Sequence, residues 1–207
     1  MAPAHEHDTT RLLLVRHGQS TWNAEGRWQG HSDPPLSRLG ERQARAGAAT
    51  VADLGITAVF SSDLLRARQT AELLAPPSFA VVVEPMLKER NVGEWEGLTR
   101  DEIDARFPGM RESYQSPPGF ESDEELVARV HPALVALVTR LGHGVVALVV
   151  SHGGVIRSLE RWLGAPSSPV PNLAGRWFVA DGAELALGDR EVLIDPDDAT
   201  LTVPKEE

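Results

Sequence analysis

The chain has 207 residues, of which 42% are hydrophobic and 24% are charged, and these values are typical of one compact globular domain. Its 30 acidic and 20 basic residues give a formal net charge of -10, which disfavours nucleic acid or an anionic membrane surface as a partner. A local arginine cluster could still bind a small anion, because the potential inside a cleft depends on nearby charges. The absence of cysteine excludes disulfides, thiolate nucleophiles and cysteine-ligated zinc.

Residues 1–10 are predicted to form a disordered leader. They lack a basic segment followed by an apolar stretch, so we expect no signal peptide. The longest apolar run, Val145–Val150, is far too short to span a membrane. We therefore expect a cytoplasmic protein.

Short apolar runs separated by amphipathic segments predict strands that alternate with helices. Buried strands are predicted at residues 11–15, 56–61, 79–83 and 145–150. Helices are predicted to follow them over residues 38–53, 63–75 and 153–163. Asp181-Gly182, between two stretches of period 2, predicts a β-hairpin near the C-terminal end.

The segment between the third and fourth strands, residues 84–144, contains only helical patterns. Thr99 with Glu102 and Ser122 with Glu125 are capping-box signatures, and they predict the starts of two helices. We therefore predict a three-layer α/β/α sandwich with a mainly parallel central sheet and a helical cap insertion at about 84–144. Residues 11–207 are expected to form this single domain.

Polar residues follow three of the predicted strands directly. These groups are Arg16-His17, Ser61-Ser62-Asp63 and Ser151-His152. Because the carboxyl ends of parallel strands meet at one edge of a sheet, and ligands bind beyond that edge, we expect these side chains to form one site.

Two histidines at one edge suggest either a metal site or a site for an anion. No carboxylate lies at ligand spacing from His17 or His152, which disfavours a metal. Arg16 adjoins His17, and Arg66 lies at the start of the helix after the second strand. Guanidinium groups match phosphate oxygens bidentately, so we predict an anion site that contains no metal and needs no cofactor.

Four segments resemble the histidine phosphatase superfamily, also called phosphoglycerate mutase-like, and they occur in that family's order. They are RLLLVRHGQSTWN at 11–23, SSDLLRARQTAE at 61–72, LKERNVGEWEGLT at 87–99 and VVSHGGVIR at 149–157. The resemblance implies that His17 accepts the phosphoryl group and that Glu89 donates a proton to the leaving group. It also implies that Arg16, Arg66 and His152, with Asn23, hold the phosphoryl oxygens.

Further candidates surround this set. Gln29, Gly30 and Gly153 are predicted to bind substrate, and Asn172 matches the family's active-site rim more loosely. Asp63, Glu94 and Glu96 are alternatives to Glu89. The leaving group could contact aromatic and polar residues that could equally serve packing: Trp28, Gln29, His31, Trp95, Tyr114 and Phe120.

The expected chemistry needs a neutral His17, whose other ring nitrogen should donate to a carbonyl oxygen. Arg16, Arg66 and a protonated His152 would then neutralise the phosphoryl oxygens without magnesium. Glu89 would protonate the leaving alkoxide and then activate water to hydrolyse the phosphohistidine.

The same pocket could belong to a phosphatase or to a cofactor-dependent phosphoglycerate mutase. The segment 107–122 is short, proline-rich and weakly charged, and by analogy with the family this favours hydrolysis of a small phosphorylated metabolite. Such phosphatases often have the sequence Gly-Gly-Glu-Ser before the long cap helix, and this chain has Gly-Phe-Glu-Ser at 119–122. Because Phe120 could narrow or line the pocket, the identity of the substrate stays open. A non-catalytic phosphate-ligand-binding protein is the third alternative. The oligomeric state also stays open, a homodimer included.

Overall fold

Six strands form one mixed sheet in the computed structural model, which describes residues 9–166 and 168–200. The strands are β1 (Thr10–Arg16), β2 (Ala58–Ser61), β3 (Val81–Val83), β4 (Val146–Ser151), β5 (Ala174–Asp181) and β6 (Glu184–Val192). The helices are α1 (Thr21–Ala24), α2 (Arg38–Asp53), α3 (Leu65–Leu74), α4 (Arg100–Arg106), α5 (Asp123–Leu141) and α6 (Gly153–Trp162). Two short 3₁₀ turns cover Pro85–Leu87 and Gly93–Trp95.

The strand order is β3-β2-β4-β1-β5-β6. Strands β3, β2, β4 and β1 are parallel, whereas β5 runs antiparallel to β1 and pairs with β6 in the predicted hairpin. The mainly parallel sheet predicted from the apolar runs is therefore confirmed.

Helices cover both faces of the sheet. Leu12 and Leu14 of β1 point to the face that packs against α5 and α6, while Leu13 and Val15 point to the face that packs against α2 and α3. All four side chains are fully buried. A strand that is covered on both faces has to be apolar throughout, and this requirement accounts for the continuous LLLV run. The predicted three-layer sandwich is confirmed.

Several element boundaries differ from the predictions. The predicted leader lies largely outside the described residues, but its last residue, Thr10, already belongs to β1. Strand β3 begins at Val81 rather than at residue 79. Helix α3 begins at Leu65 and has no side-chain cap, because its N-cap residue is Leu64. The Asp63 carboxylate forms an ion pair with Lys88 at 3.0 Å. Helix α1, with a capping box of Ser20 and Asn23, was not predicted.

The predicted cap insertion divides into two structural parts. Residues 84–122 contain the 3₁₀ turns and the short helix α4. Helix α5 begins at the predicted capping box, and its apolar residues, such as Leu126, Val130 and Leu134, join the core on one face of the sheet. The second half of the insertion is thus an outer layer of the sandwich. No helix among residues 9–166 and 168–200 is long and apolar enough to cross a membrane.

A close backbone approach fixes the loop after β1 against helix α2. A Cβ atom at Gly40 would lie 2.0 Å from the carbonyl oxygen of Gln19, and one at Gly18 would lie 2.7 Å from the carbonyl oxygen of Gly40. The glycine after His17 therefore allows the two backbones to pack closely.

The substitution Gly40→Ala is expected to lower the free energy of unfolding by about 2–3 kcal/mol, because the new methyl group overlaps backbone atoms that cannot turn away. Urea unfolding measures this loss. Gly47→Ala in the same helix is the comparison, since its Cβ would meet the movable Leu74 Cδ2 at 3.0 Å, and we expect a smaller change. A gain in stability from Gly40→Ala, as ordinary helical positions show, would contradict this account.

Candidate active site

The carboxyl ends of three neighbouring strands deliver the predicted polar residues to one edge of the sheet. Arg16 at the end of β1 is in register with Ser151 at the end of β4. Ser61, which ends β2, is in register with Val150 of β4. The residues that follow these ends include His17 and His152, and their imidazole rings meet edge to face with centroids 5.2 Å apart.

Two hydrogen bonds define the tautomer of His17. Its Nδ1 lies 2.6 Å from the carbonyl oxygen of Gly18, which can only accept, so Nδ1 carries the proton. The Nε–H of Arg66 donates to His17 Nε2 at 3.2 Å. With the ring proton on Nδ1, Nε2 carries an unshared electron pair, and this pair faces the guanidinium group of Arg66.

The surroundings of His17 also favour its neutral form. Burial, then the positive charges of Arg66 and Arg16, lower the pKa of His17 well below 6.5. Asn172 contributes to positioning, since its Nδ2 donates to the backbone oxygen of His17 at 2.8 Å. The imidazole is therefore neutral near pH 7, as the sequence analysis expected.

Arg66 and Arg16 are buried cations close to this imidazole. Backbone oxygens hold Arg66, which donates to Ser32 at 2.7 Å and to Gly30 at 3.0 Å. The Nη1 atom of Arg16 donates to the Val170 oxygen at 2.7 Å. Burial lowers the pKa of each arginine from 12.5 to about 10, so both remain charged at neutral pH.

His152 is fully buried, and its surroundings favour the neutral form of its ring. Its protonation beside a bound phosphoryl group stays a prediction. Burial, followed by the charge of Arg66, lowers the pKa of His152 well below 6.5. Its Nε2 lies 2.7 Å from the hydroxyl of Ser62. Its Nδ1 is buried and has no hydrogen-bond partner among the described residues. A buried polar atom without a protein partner is costly and is available to a ligand.

Glu89 reaches the same site from the loop after β3. Its Oε1 accepts the N–H of Arg90 at 2.7 Å, and its Oε2 accepts the N–H of Gly154 at 3.1 Å, at the start of α6. The charge of Glu89 raises the pKa of both Arg16 and Arg66, so the carboxyl group lies close to the two cations. The Glu89 carboxyl group is thus held beside the two buried guanidinium groups.

The other predicted binding residues have visible structural contacts. Asn23 accepts the N–H of Ser20 through its side chain, which closes the capping box of α1. Gln29 Oε1 accepts the Ser20 hydroxyl at 2.6 Å. Gly30 has a φ of +51° and supplies a carbonyl oxygen to Arg66. These contacts hold the loop that carries the candidates, and the predicted substrate contacts of Asn23, Gln29 and Gly30 stay predictions.

Gly153 lies at the first position of α6, and a Cβ atom there would lie 3.4 Å from Arg16 Cδ. The alternatives to Glu89 have other contacts or lie on the surface. Glu96 accepts backbone N–H groups from His31 and Ser32, Asp63 pairs with Lys88, and Glu94 is exposed.

The aromatic candidates pack mainly against one another. Trp95 is buried between Trp28 and Phe120, with ring centroids 5.1 and 5.8 Å away. Tyr114 is 94% exposed on the segment between α4 and α5. His31 uses its Nε2 to contact the Glu89 backbone oxygen at 2.8 Å. Packing rather than ligand contact is therefore the visible role of Trp95 and Phe120.

Several residues of the site were not found by sequence reasoning. Gly154 gives Glu89 room, since a Cβ there would lie 2.2 Å from Glu89 Oε1. Thr70 links the two main motifs by accepting the Gly18 N–H and donating to the Arg66 oxygen. Such roles depend on which segments meet in the fold, and no local pattern reveals them.

The donor set suits an oxyanion better than a metal ion. Among the described residues, no group of three or more histidine, aspartate and glutamate side chains is placed to hold a metal. Two guanidinium groups instead flank the imidazoles, and such cations bind phosphate oxygens by charge-assisted hydrogen bonds.

Comparison with known proteins agrees with this chemistry. The family model for the histidine phosphatase superfamily (branch 1) matches residues 12–176. The chain belongs to this family. The resemblance identified in the sequence motifs, and the assignment of the chain as a phosphatase of this superfamily, are therefore confirmed.

The relatives of this histidine phosphatase include both hydrolases and mutases. A glucosyl-3-phosphoglycerate phosphatase of Mycolicibacterium vanbaalenii is 36% identical over 196 residues, covering 86% of this chain and 87% of the relative. A metal-independent phosphoserine phosphatase of Arabidopsis thaliana is 35% identical and covers 92% and 82% of the two chains. A 2,3-bisphosphoglycerate-dependent phosphoglycerate mutase of Rhizobium etli is 38% identical over 161 residues, with coverage of 72% and 76%.

Solved structures show the same fold. A mycobacterial glucosyl-3-phosphoglycerate phosphatase in complex with VO3 superimposes with a TM-score of 0.75 at 31% identity, covering 86% of this chain and 96% of the other. The architecture described above is therefore shared with a phosphatase of known structure.

The substitution Gly154→Ala is expected to reduce kcat/KM for an alkyl phosphate about 10²-fold with little change in stability. The new Cβ would displace the end of the flexible Glu89 side chain and leave the backbone in place. In a Glu89→Ala background the same substitution should cause no further loss. A full additional loss in that background would contradict this role for Gly154.

Proposed function

We propose that this histidine phosphatase is a metal-independent phosphomonoester hydrolase that forms a phosphohistidine at Nε2 of His17. The observation that supports this most strongly is the pair of hydrogen bonds that leave Nε2 unprotonated, from His17 Nδ1 to the Gly18 oxygen and from Arg66 to Nε2. A neutral imidazole with its lone pair beside a phosphate-binding guanidinium is an activated nucleophile.

In the first step, the Nε2 electron pair forms a bond to phosphorus, and the bond from phosphorus to the ester oxygen breaks. Glu89 transfers a proton to that oxygen, so a neutral alcohol leaves. The positive charge that develops on the phosphorylated ring of His17 is stabilised by the bond from Nδ1–H to the Gly18 oxygen. In the second step, a water molecule attacks phosphorus while Glu89 accepts a proton from it. The P–N bond breaks, and phosphate is released.

The buried guanidinium groups of Arg16 and Arg66 neutralise the negative charge of the phosphoryl group. Arg16 and Arg66 face the oxygens of the transferred group, and the bond from Arg66 to His17 Nε2 is exchanged for one to phosphate when substrate binds. His152 can also donate to the transferred phosphoryl group through its Nδ1–H. This requires the tautomer that carries its proton on Nδ1, in which the Ser62 hydroxyl donates to Nε2. A bound phosphate dianion favours protonation of His152, which reconciles its neutrality in the free enzyme with a role in binding.

Hydrolysis is preferred over the mutase reaction because the basic residues of segment 107–122 and its flank are engaged elsewhere. Arg111 forms a bidentate pair with Asp104 at 2.6 and 2.5 Å, and Arg106 lies over the Phe107 ring. A mutase must hold its phosphorylated intermediate against water, which favours a closed cationic cover over the site. The exposed, weakly charged segment here suits entry of water instead.

The substrate class is a small phosphorylated metabolite. The activities for which the relatives are named direct the choice of candidates toward phosphoglycerate derivatives, including glucosyl-3-phosphoglycerate, and toward phosphoserine. Arg157, one turn into α6, lies near enough to Arg16 to lower its pKa, and it supplies a positive charge beside the pocket that suits a second anionic group on the substrate.

A panel of these phosphomonoesters, assayed in EDTA, tests the proposal. We expect turnover that chelation does not change, and a loss of at least about 10³-fold in kcat/KM on His17→Ala, because the nucleophile is removed. Acid-sensitive, alkali-stable phosphate on the protein during turnover would be the phosphohistidine. His131→Ala is the matched control, since His131 packs on Trp162 outside this site and its removal should leave kcat/KM unchanged.

Activity that requires a divalent metal, or that survives His17→Ala, would contradict this mechanism. Interconversion of phosphoglycerates stimulated by a bisphosphoglycerate, and faster than phosphate release, would identify a mutase instead. Absence of turnover across the panel, together with a rise in melting temperature on adding phosphate, would identify a non-catalytic binding protein.

A further inference from the structure

The guanidinium group of Arg129, on helix α5, binds the loop that carries Glu89. Its Nη1 donates to the backbone oxygens of Met86 and Lys88 at 2.7 and 2.8 Å, and its Nη2 donates to the backbone oxygen of Glu89 at 2.9 Å. Its Nε and Nη2 also donate to the two carboxylate oxygens of Glu121 at 2.6 and 2.9 Å. One side chain thus fixes three carbonyl groups of this loop.

Glu121 holds the same loop from its other end. Its Oε2 accepts the backbone N–H of Asn91 at 3.1 Å, and its own N–H donates to the Asn91 oxygen at 2.9 Å. Residues 86, 88, 89 and 91 are therefore all tied to the pair formed by Arg129 and Glu121. Glu121 belongs to the Gly-Phe-Glu-Ser segment at 119–122, and no residue of this segment takes part in the reaction steps proposed above.

This pair differs from an ordinary surface ion pair. The Arg129 side chain is 20% exposed and that of Glu121 is 14% exposed, so water screens their interaction weakly. Burial alone would raise the pKa of Glu121, but the hydrogen bond and charge of Arg129, together with the Asn91 N–H and the nearby His31, outweigh burial and lower it. The pair is bidentate, and such geometry restricts orientation as well as adding energy.

Helix α5 does not need this pair to stay in place. Its first turn is closed by the capping box of Ser122 and Glu125, and its apolar face is buried in the core through residues such as Leu126 and Val130. The loop, by contrast, has only the short 3₁₀ turn Pro85–Leu87 as regular structure before Glu89. The contacts of Arg129 are therefore directed at the loop.

We propose that Arg129 and Glu121 are a positioning pair that holds the Glu89 carboxyl group where it can exchange a proton with the leaving oxygen. This inference rests on the proposed role of Glu89 as proton donor. Neither residue touches the transferred phosphoryl group. They act through the backbone of residues 86–91, so their loss should affect proton transfer while leaving phosphate binding by Arg16 and Arg66 intact.

The dependence of kcat/KM on the leaving group tests this proposal. Nitrophenolate leaves without protonation, whereas an alkoxide needs the proton from Glu89. In Arg129→Met we expect kcat/KM to fall about 10²-fold for β-glycerophosphate and to change little for p-nitrophenyl phosphate. Glu121→Gln, which keeps the size of the side chain, should show the same selectivity if Arg129→Met proves too unstable to assay.

Glu89→Gln is the reference variant. Its kcat/KM should also fall more for β-glycerophosphate than for p-nitrophenyl phosphate. Adding Arg129→Met to Glu89→Gln should cause no further loss on β-glycerophosphate, because both substitutions remove the same proton transfer. Arg111→Met is the matched control, since it breaks a bidentate arginine–carboxylate pair that does not contact the loop, and it should leave both substrates unchanged.

Equal losses on the two substrates in both Arg129→Met and Glu121→Gln would overturn the proposal and assign the pair to stability alone. Fully additive losses in the double variant would also overturn it. If Glu89→Gln lowers kcat/KM equally for the two substrates, the role of Glu89 in the proposed function is wrong. This single variant tests that role independently of Arg129.

Discussion

The contact between the Arg66 Nε–H and His17 Nε2 is the constraint on which the site depends. It can form only if Nε2 is unprotonated, and the Gly18 oxygen enforces the same state from the other side of the ring. Burial removes the water that would otherwise stabilise an imidazolium ion, and two neighbouring cations oppose it further. The fold thus keeps a neutral imidazole, the proposed nucleophile, next to two buried guanidinium charges.

This arrangement requires dense packing around a polar centre. Gly18 and Gly40 let the loop after β1 press against helix α2, and Gly154 lets the Glu89 carboxyl group approach the start of α6. The parallel strands β1, β4 and β2 end at one edge and supply the imidazoles and a guanidinium group. Glu89, the proposed proton donor, lies instead on a loop with little regular structure, and Arg129 of helix α5 and Glu121 just before that helix bind the backbone of this loop.

Much of the fold was readable from local patterns. The continuous LLLV and ALVV runs required strands buried on both faces, and the capping boxes at Thr99 and Ser122 fixed the starts of α4 and α5. The family motifs located His17, Arg66, Glu89 and His152, and their roles remain predictions. Complete burial lowers the pKa of His152 well below 6.5, and no local pattern in the sequence reveals that burial. Gly154, Thr70 and Arg129 were missed because each acts on a segment distant in the chain.

The tautomer and pKa of His17 are the most direct test of this account. Selective ¹⁵N labelling of histidine and NMR across pH 4–8 would report both ring nitrogens, with His17→Gln used for assignment. The account predicts a neutral ring with the proton on Nδ1 at pH 7, which gains its second proton only well below pH 6.5. A ring that carries its proton on Nε2, or that titrates at or above pH 6.5, would contradict it.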